Sequence, residues 1–292
     1  ITRRDWSSDV CSSDLRFIMS DKIIIKKHPR ELHDLQEFFC LLTRQCNSNC
    51  AFCIEREVHT GGFINKENFI SGVNFAKEHG LNNFFLHGGE PTMHPDIVDF
   101  AHIAKNAGLT VKMFTNGKKV EVLKQLDGIV DEFKISYRGS ESMQFIQSEW
   151  KTKLALEVLV TEKEFPTLNS LLDFLAYARQ ATGMNVYANT MNPVNQGAYD
   201  SQYVSYLEEL FLSIPIDDIF CTSNKATFIL SDGTRARLGN KSLNPNHMKF
   251  SMTPDGVIHD HFERHFEIIE HNSELDEKLA LADKRLEQLR KL

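Results

Sequence analysis

Three cysteines lie within eight residues of one another: Cys46, Cys50 and Cys53, in the run Thr43-Arg-Gln-Cys-Asn-Ser-Asn-Cys-Ala-Phe-Cys53. Thiolates at this density bind metal. Biological [4Fe–4S] cubes take four thiolates as a rule. Three would leave one iron open, and an open position on a metal is where a substrate or cofactor binds. Zinc is the alternative, since it also takes cysteine pairs with further ligands, and His59 can supply a fourth. No second CxxC or HxxxH follows at finger spacing. Of the other cysteines, Cys40 sits in an apolar run and reads as a packed core thiol. Cys221 stands alone, and Cys11 lies in an N-terminal stretch without periodicity.

The elements that must position these thiols alternate in order. Residues 37–44 (EFFCLLTR) predict a buried strand that leads into the cysteine loop. Helical spacing follows over 65–79, with Gly80 as a stop. Strands are expected at 83–87, 109–115, 132–137, 154–161 and 185–190. Helices are expected at 95–107, 119–126, 141–150, 168–181 and 201–212. Six strand–helix repeats imply parallel strands with right-handed crossovers and helices outside. The expected fold is α/β: a partial (β/α)6 TIM-like barrel, open on one side, with a small C-terminal strand-rich appendage and a terminal helix. In such barrels functional groups gather at the C-terminal ends of the strands.

Residues 1–18 resemble translated sequencing-adaptor text and lack an apolar signal region, so Met19 is the expected natural start. Residues 19–213 then form the barrel and 214–292 the appendage. Within the appendage, Ser231-Asp-Gly233 and Pro254-Asp-Gly256 each mark a hairpin turn. Leu275, Leu279, Ala282, Leu286 and Leu289 line one face of a charged C-terminal helix.

The chain has 292 residues, 41% hydrophobic and 25% charged, enough to bury a sizeable core. Its formal charge of −7 gives no footprint for general nucleic-acid binding. No run approaches the eighteen apolar residues of a membrane span. Clustered rather than dispersed thiols argue against a secreted disulfide scaffold and for a reducing, cytoplasmic setting.

With those residues quoted, the chain resembles the radical S-adenosylmethionine (SAM) superfamily. Cys46, Cys50 and Cys53, with Phe52 before the third cysteine, match its CxxxCx(aromatic)C loop. Thr43 and Asn47 resemble the flank seen in the branch that holds the molybdenum-cofactor GTP 3′,8-cyclase and SPASM-type peptide-modifying enzymes. Gly88-Gly-Glu-Pro-Thr92 follows the second strand as GGEP does, and Thr115-Asn-Gly117 closes the third as TNG does. Ile135-Ser-Tyr-Arg-Gly139 ends the fourth, with Arg138 where the family usually has Asp.

The resemblance implies that the three cysteines hold a [4Fe–4S] cluster and that Gly88, Gly89 and Glu90 bind the SAM amino group. It makes Thr115, Asn116, Ser136 and Asn189 candidates for SAM or substrate, with Asn192 and His87 as outlying ones. A carboxylate suits an ammonium, and glycine admits close backbone approach. The implied activity is reductive SAM cleavage and hydrogen abstraction from a peptide or small-molecule substrate, with a reductant such as flavodoxin or ferredoxin. A nucleotide-modifying enzyme and a non-catalytic iron–sulfur or zinc protein are the alternatives. The Phe250–Phe262 segment resembles the hairpin that opens auxiliary-cluster domains. His259, Asp260 and His261 stand where a cysteine is usual, so one cluster is expected, and His259, His261 and His265 can instead bind a metal or act on substrate.

Overall fold

In the computed structural model the structure describes residues 24–27, 36–50, 53, 62–137 and most of 138–182. It further describes 185–189, parts of 202–206, 216–222, 225–230, 235–238 and 248–260. The terminal helix, His59, Arg138, Asn192, His261 and His265 lie outside the described residues.

Six parallel strands form the centre of one sheet: β2 (Gln36–Leu41), β3 (Asn83–His87), β4 (Thr110–Thr115), β5 (Glu132–Ser136), β6 (Lys153–Leu159) and β7 (Asn185–Asn189). Each pairs in parallel with the next. Helices α1 (Lys66–Glu78), α2 (Ile97–Asn106), α3 (Val120–Leu126) and α4 (Leu168–Thr182) supply crossovers, as parallel pairing demands. α1 starts where the Asn65 side chain accepts the N–H of Asn68 at 2.8 Å. It ends before Gly80, which takes φ +67° at low cost.

Residue alternation divides the sheet into two faces. Phe38, Cys40, Phe84, Leu86, Val111, Met113, Phe133, Ile135, Leu156, Val158, Val186 and Ala188 form one buried core with the helices. α1 contributes Phe69, Val73 and Ala76 to it, the i, i+4, i+7 stripe of an amphipathic helix. Phe69 stacks on Phe100 of α2 at 4.2 Å between ring centroids. The intervening strand residues, from Phe39 and Phe85 to Glu157 and Asn189, face the other way, into the concavity of the sheet.

The remaining strands join this same sheet. β1 (Ile24–Lys27), β8 (Ile216–Thr222), β9 (Lys225–Leu230), β10 (Arg235–Leu238), β11 (Met248–Met252) and β12 (Ile258–Asp260) complete it. The order is β1-β8-β9-β10-β7-β6-β5-β4-β3-β2-β11-β12. Both expected hairpins form, β9–β10 and β11–β12. β10 runs parallel to β7, and β11 runs parallel to β2. The sheet does not close on itself, as expected of a partial barrel. β1 and β8 are not among the expected strands, although Ile23-Ile-Ile25 and Ile219-Phe-Cys-Thr222 have strand composition; in β8 the adjacent Asp217 and Asp218 break the alternation, and the register slips there.

Met252 of β11 is fully buried in the main core, with its Cε beside Gly72 of α1. Asn68 of α1 donates to the Pro254 carbonyl in the turn that follows. Met252→Ala should therefore cost about 2–5 kcal/mol, the range for truncating a core methionine. Urea unfolding of the whole chain measures it; a loss below about 1 kcal/mol would mean that β11 is only loosely seated.

Candidate functional site

The cysteine loop begins where β2 ends, and strand-like pairing carries on past both strand ends. Leu42 N–H donates to the His87 carbonyl at 2.8 Å, Gly89 N–H to Thr43 at 2.8 Å and Glu90 N–H to Gln45 at 2.9 Å. The stretch that leads to Cys46 thus lies directly against Gly88-Gly89-Glu90. A Cβ on Gly88 would stand 2.7 Å from the Thr43 carbonyl oxygen. One on Gly89 would stand 2.6 Å from that of Arg44 and press harder still on that of Gln45. Real Cβ atoms do not approach so closely. The glycine pair is therefore needed for two backbones of this chain to touch, a requirement separate from any ligand.

Cys46, Cys50 and Cys53 all lie at intermediate burial. A turn joins the last two, with Cys53 N–H donating to the Cys50 carbonyl at 3.1 Å. Burial is the main cause that pushes the Cys46 thiol up, and the negative charges of Glu90 and Cys50 add to it. A hydrogen bond from the Ser48 backbone and the charge of Lys118 act the other way. The cysteine loop, the GGEP segment and the TNG segment thus share one electrostatic neighbourhood. Cys40 is wholly buried, and burial drives its thiol far above the ordinary range, which marks it as packing.

Glu90 sits at the centre of this neighbourhood, 1% exposed. Its Oε1 accepts from Thr92 N–H at 3.1 Å, Thr92 Oγ1 at 2.7 Å and Thr115 Oγ1 at 2.9 Å. Its Oε2 accepts the backbone N–H of Asn116 at 2.7 Å. Burial raises its pKa, and those hydrogen bonds offset the rise only in part. The Asn116 side chain then spans to the cysteine loop, donating from Nδ2 to Asn47 Oδ1 at 2.6 Å and towards Ser48 Oγ at 3.3 Å. Its Oδ1 accepts Lys118 N–H at 3.1 Å, an Asx-type turn around Gly117 at φ +76°.

Ser136 and Asn189 lie farther along the rim, on the concave face of β5 and β7. Between them stands Glu157 of β6, which no sequence motif marks. Ser136 is its register neighbour, and Asn189 Nδ2 donates to its Oε2 at 2.5 Å. Its Oε1 receives Lys134 Nζ at 3.1 Å. The Lys134 ammonium also lies 5.5 Å from the Phe114 ring and 5.1 Å from the Tyr187 ring. Burial works hardest on Lys134 and would lower its pKa, but Glu157 and Glu132 outweigh it and hold the ammonium above its ordinary range. Glu132 further meets Lys112 at 3.7 Å. Buried parallel strands are usually apolar on both faces. The polar alternation of Glu132-Phe-Lys-Ile-Ser136 was therefore the available signal for this row. His87 accepts Gly88 N–H on Nδ1 at 2.6 Å and lies near Phe39 and Phe114. His259, on β12, pairs across from Ser251, away from the Glu90 contacts.

The donor set agrees with an iron–sulfur cube. Three separate soft thiols on one loop can each take one iron, and the glycine contact holds that loop against the Gly88–Glu90 backbone. Among the described residues, no group of three or more His, Cys, Asp or Glu side chains is placed to hold a single metal ion. No described helix is long and apolar enough to cross a membrane.

An open parallel sheet with a thiol loop and a glycine–carboxylate turn at its C-terminal strand ends defines a class, and residues 40–140 match the family model described as the radical SAM superfamily. Over those residues the chain is similar to that family, which uses a [4Fe–4S] cluster and SAM. Two curated relatives are similar in part. A S-adenosylmethionine-dependent nucleotide dehydratase from Thermoplasmatales archaeon (strain ISO4-H5) is 26% identical over 105 residues, 35% of this chain and 38% of that protein. A probable GTP 3′,8-cyclase from Saccharolobus islandicus is 36% identical over 96 residues, 32% of this chain and 30% of that protein. The chain thus spans about a third of the length of these relatives. Among solved structures, SuiB of Streptococcus suis bound to S-adenosylmethionine aligns with a TM-score of 0.53 at 13% identity, covering 77% of this chain and 60% of SuiB. At that identity the likeness is one of fold.

Gly89→Ala forces two backbones apart. It should lower stability by about 1–3 kcal/mol, as overpacking does, measured as a fall in the melting temperature of the metal-free chain. An unchanged melting temperature would show that the loop yields freely.

Proposed function

We propose that this chain is a radical SAM enzyme whose Cys46, Cys50 and Cys53 hold one [4Fe–4S] cluster, with SAM on its open iron. When bound, cluster and SAM supply electron-driven cleavage of the sulfonium S–C5′ bond and a 5′-deoxyadenosyl radical that takes a hydrogen atom from the substrate. The observation that carries this reading is the packing of the cysteine loop against Gly88–Glu90 and, through Asn116, against the end of β4. Three segments far apart in the chain meet at one rim of one sheet, where a parallel barrel places its chemistry.

The residues divide the remaining tasks. The thiols grip the cluster at three corners. The Gly88-Gly89 backbone lies against the loop, and its carbonyl oxygens would suit an ammonium donor such as the SAM amino group. Ser136 and Asn189 offer hydrogen bonds to the SAM ribose or the substrate. The core of the sheet excludes water on the helix side, while the concave face supplies the chamber. That face carries Lys112, Glu132, Lys134 and Glu157 in balanced ion pairs. A wall with paired charges and neutral donors suits a polar substrate of little net charge, such as a peptide or a small molecule. The same fold in SuiB, one of whose structures is bound to precursor peptide SuiA, supports the peptide form. The names of the two curated relatives favour a nucleotide as the second reading. A flavodoxin or ferredoxin would deliver the electron, and clustered reduced thiols suit the cytoplasm.

Anaerobic reconstitution with iron and sulfide tests the proposal. Dithionite and SAM should yield 5′-deoxyadenosine, and Cys→Ala at 46, 50 or 53 should abolish it, since each thiolate would be one of three protein ligands to the cluster. A colourless protein that binds one zinc and makes no 5′-deoxyadenosine would instead favour the binding-protein alternative. Peptide and nucleotide pools added separately discriminate the substrates, because the true one raises 5′-deoxyadenosine formation above the uncoupled rate.

A further inference from the structure

We infer that Glu90 is a positioning residue: through the Asn116 backbone it fixes the Asn116 side chain, and that side chain holds the Asn47–Ser48 turn between the first two cluster cysteines. The inference deepens the proposed function and rests on it for the identity of the cluster. It moves Glu90 from the ammonium contact that the motif implies to a relay inside the chain.

The geometry for this is complete. Both carboxylate oxygens are taken by protein donors, at 2.7 to 3.1 Å, and the residue is 1% exposed. Oε1 is saturated, and the one acceptor site left on Oε2 is buried with the rest of the side chain, so the carboxylate is turned to the protein rather than to a ligand. Asn116 is equally committed, with Oδ1 on Lys118 N–H and Nδ2 on Asn47 and Ser48. The relay is a chain of contacts: Glu90 Oε2 to Asn116 N, then Asn116 Nδ2 to Asn47 Oδ1. It holds the segment from Cys46 to Cys50 by hydrogen bonds from the residue that follows β4, in addition to the Gly88-Gly89 backbone contact.

Why a carboxylate is required follows from the donors. Oε1 receives the backbone N–H of Thr92, and Oε2 receives that of Asn116. Neither N–H can accept. A glutamine at this position must therefore turn its amide NH2 onto one of them, whichever way it is flipped, so one buried donor faces another. The threonine hydroxyls of Thr92 and Thr115 can reverse their roles, but the two amides cannot. Glu90→Gln is nearly isosteric and still breaks the arrangement.

The test uses the full chain, purified anaerobically, as wild type, Glu90→Gln, Asn116→Ala and Thr92→Val. Three readouts are taken: hydrogen–deuterium exchange over residues 44–50 in the metal-free protein, iron and sulfide per chain after reconstitution, and the SAM-induced change in the electron paramagnetic resonance of the reduced cluster. Glu90→Gln and Asn116→Ala should each speed exchange over 44–50 and lower iron content by about threefold, the scale of one lost hydrogen bond. A fifth protein, carrying Glu90→Gln and Asn116→Ala together, should be no worse than the more severe single variant, as expected for residues acting in series. Clusters that do load should respond to SAM at wild-type half-saturation. Thr92→Val, which removes only a hydroxyl contact, should lower the melting temperature without moving exchange or iron content.

Wild-type exchange and iron in both Glu90→Gln and Asn116→Ala would overturn the inference. So would a Glu90→Gln protein that keeps its cluster yet needs about tenfold more SAM, the loss expected of a broken charged contact. Thr92→Val matching Glu90→Gln in all three readouts would reduce the role to general stability and overturn it as well. If Glu90→Gln fails to fold, Asn116→Ala decides alone, since it leaves the carboxylate contacts in place. A wild-type chain that takes up no cluster would sink the proposed function, while the exchange comparison would still judge the relay.

Discussion

The close contact of two backbones, Thr43–Gln45 against Gly88–Glu90, is the constraint on which the site depends. It prolongs the β2–β3 pairing past the strand ends, and it is possible only because two successive residues lack a Cβ. From it follow the placement of Cys46 beside Glu90 and the meeting of three sequence segments at one rim. A conventional loop would leave the thiols on a mobile arm. Here the first residues of the loop are part of the sheet in all but name, and a ligand held between three thiols inherits the rigidity of the core.

The two faces of the sheet divide structure from chemistry. On the helix side, stacked phenylalanines and aliphatic residues supply burial. On the concave side, lysines and glutamates are drawn into partial burial, each meeting an opposite charge or an aromatic ring. Pairs of this kind add little stability, because desolvation consumes most of the attraction. They stand where barrels commonly pack branched aliphatics. Glu157 is the centre of that face, reached by β5 through Lys134 and by β7 through Asn189.

Much of this was legible in the sequence, for identifiable reasons. Strand and helix periodicity placed β3, α1, α3 and the two C-terminal hairpins because each is governed by local pattern and by a turn residue beside it. The cysteine spacing and the GGEP and TNG segments announced the site because chemistry demands those residue types. What could not be read was partnership. Nothing in Met248–Met252 says that it lies beside β2, since strand pairing across the chain depends on which surfaces remain uncovered after the rest has packed. The motif pointed to Glu90, but not to the donors that surround it. Gly88 and Gly89 suggested a ligand, and the carbonyls of Thr43, Arg44 and Gln45 turned out to be the neighbours they accommodate. The ionic row was visible in the alternation of β5, yet its centre on β6 lay in an unremarkable strand.

The seating of β11 next to β2 has a consequence for biogenesis. The cysteine-bearing strand finds one neighbour soon after it leaves the ribosome, in β3, but the other arrives roughly two hundred residues later. Until then one flank of the thiol loop's root is an open edge, with unsatisfied amides facing solvent. High-separation contacts of this type form late in folding. The root of the thiol loop is thereby flanked on both sides only after β11 has been translated.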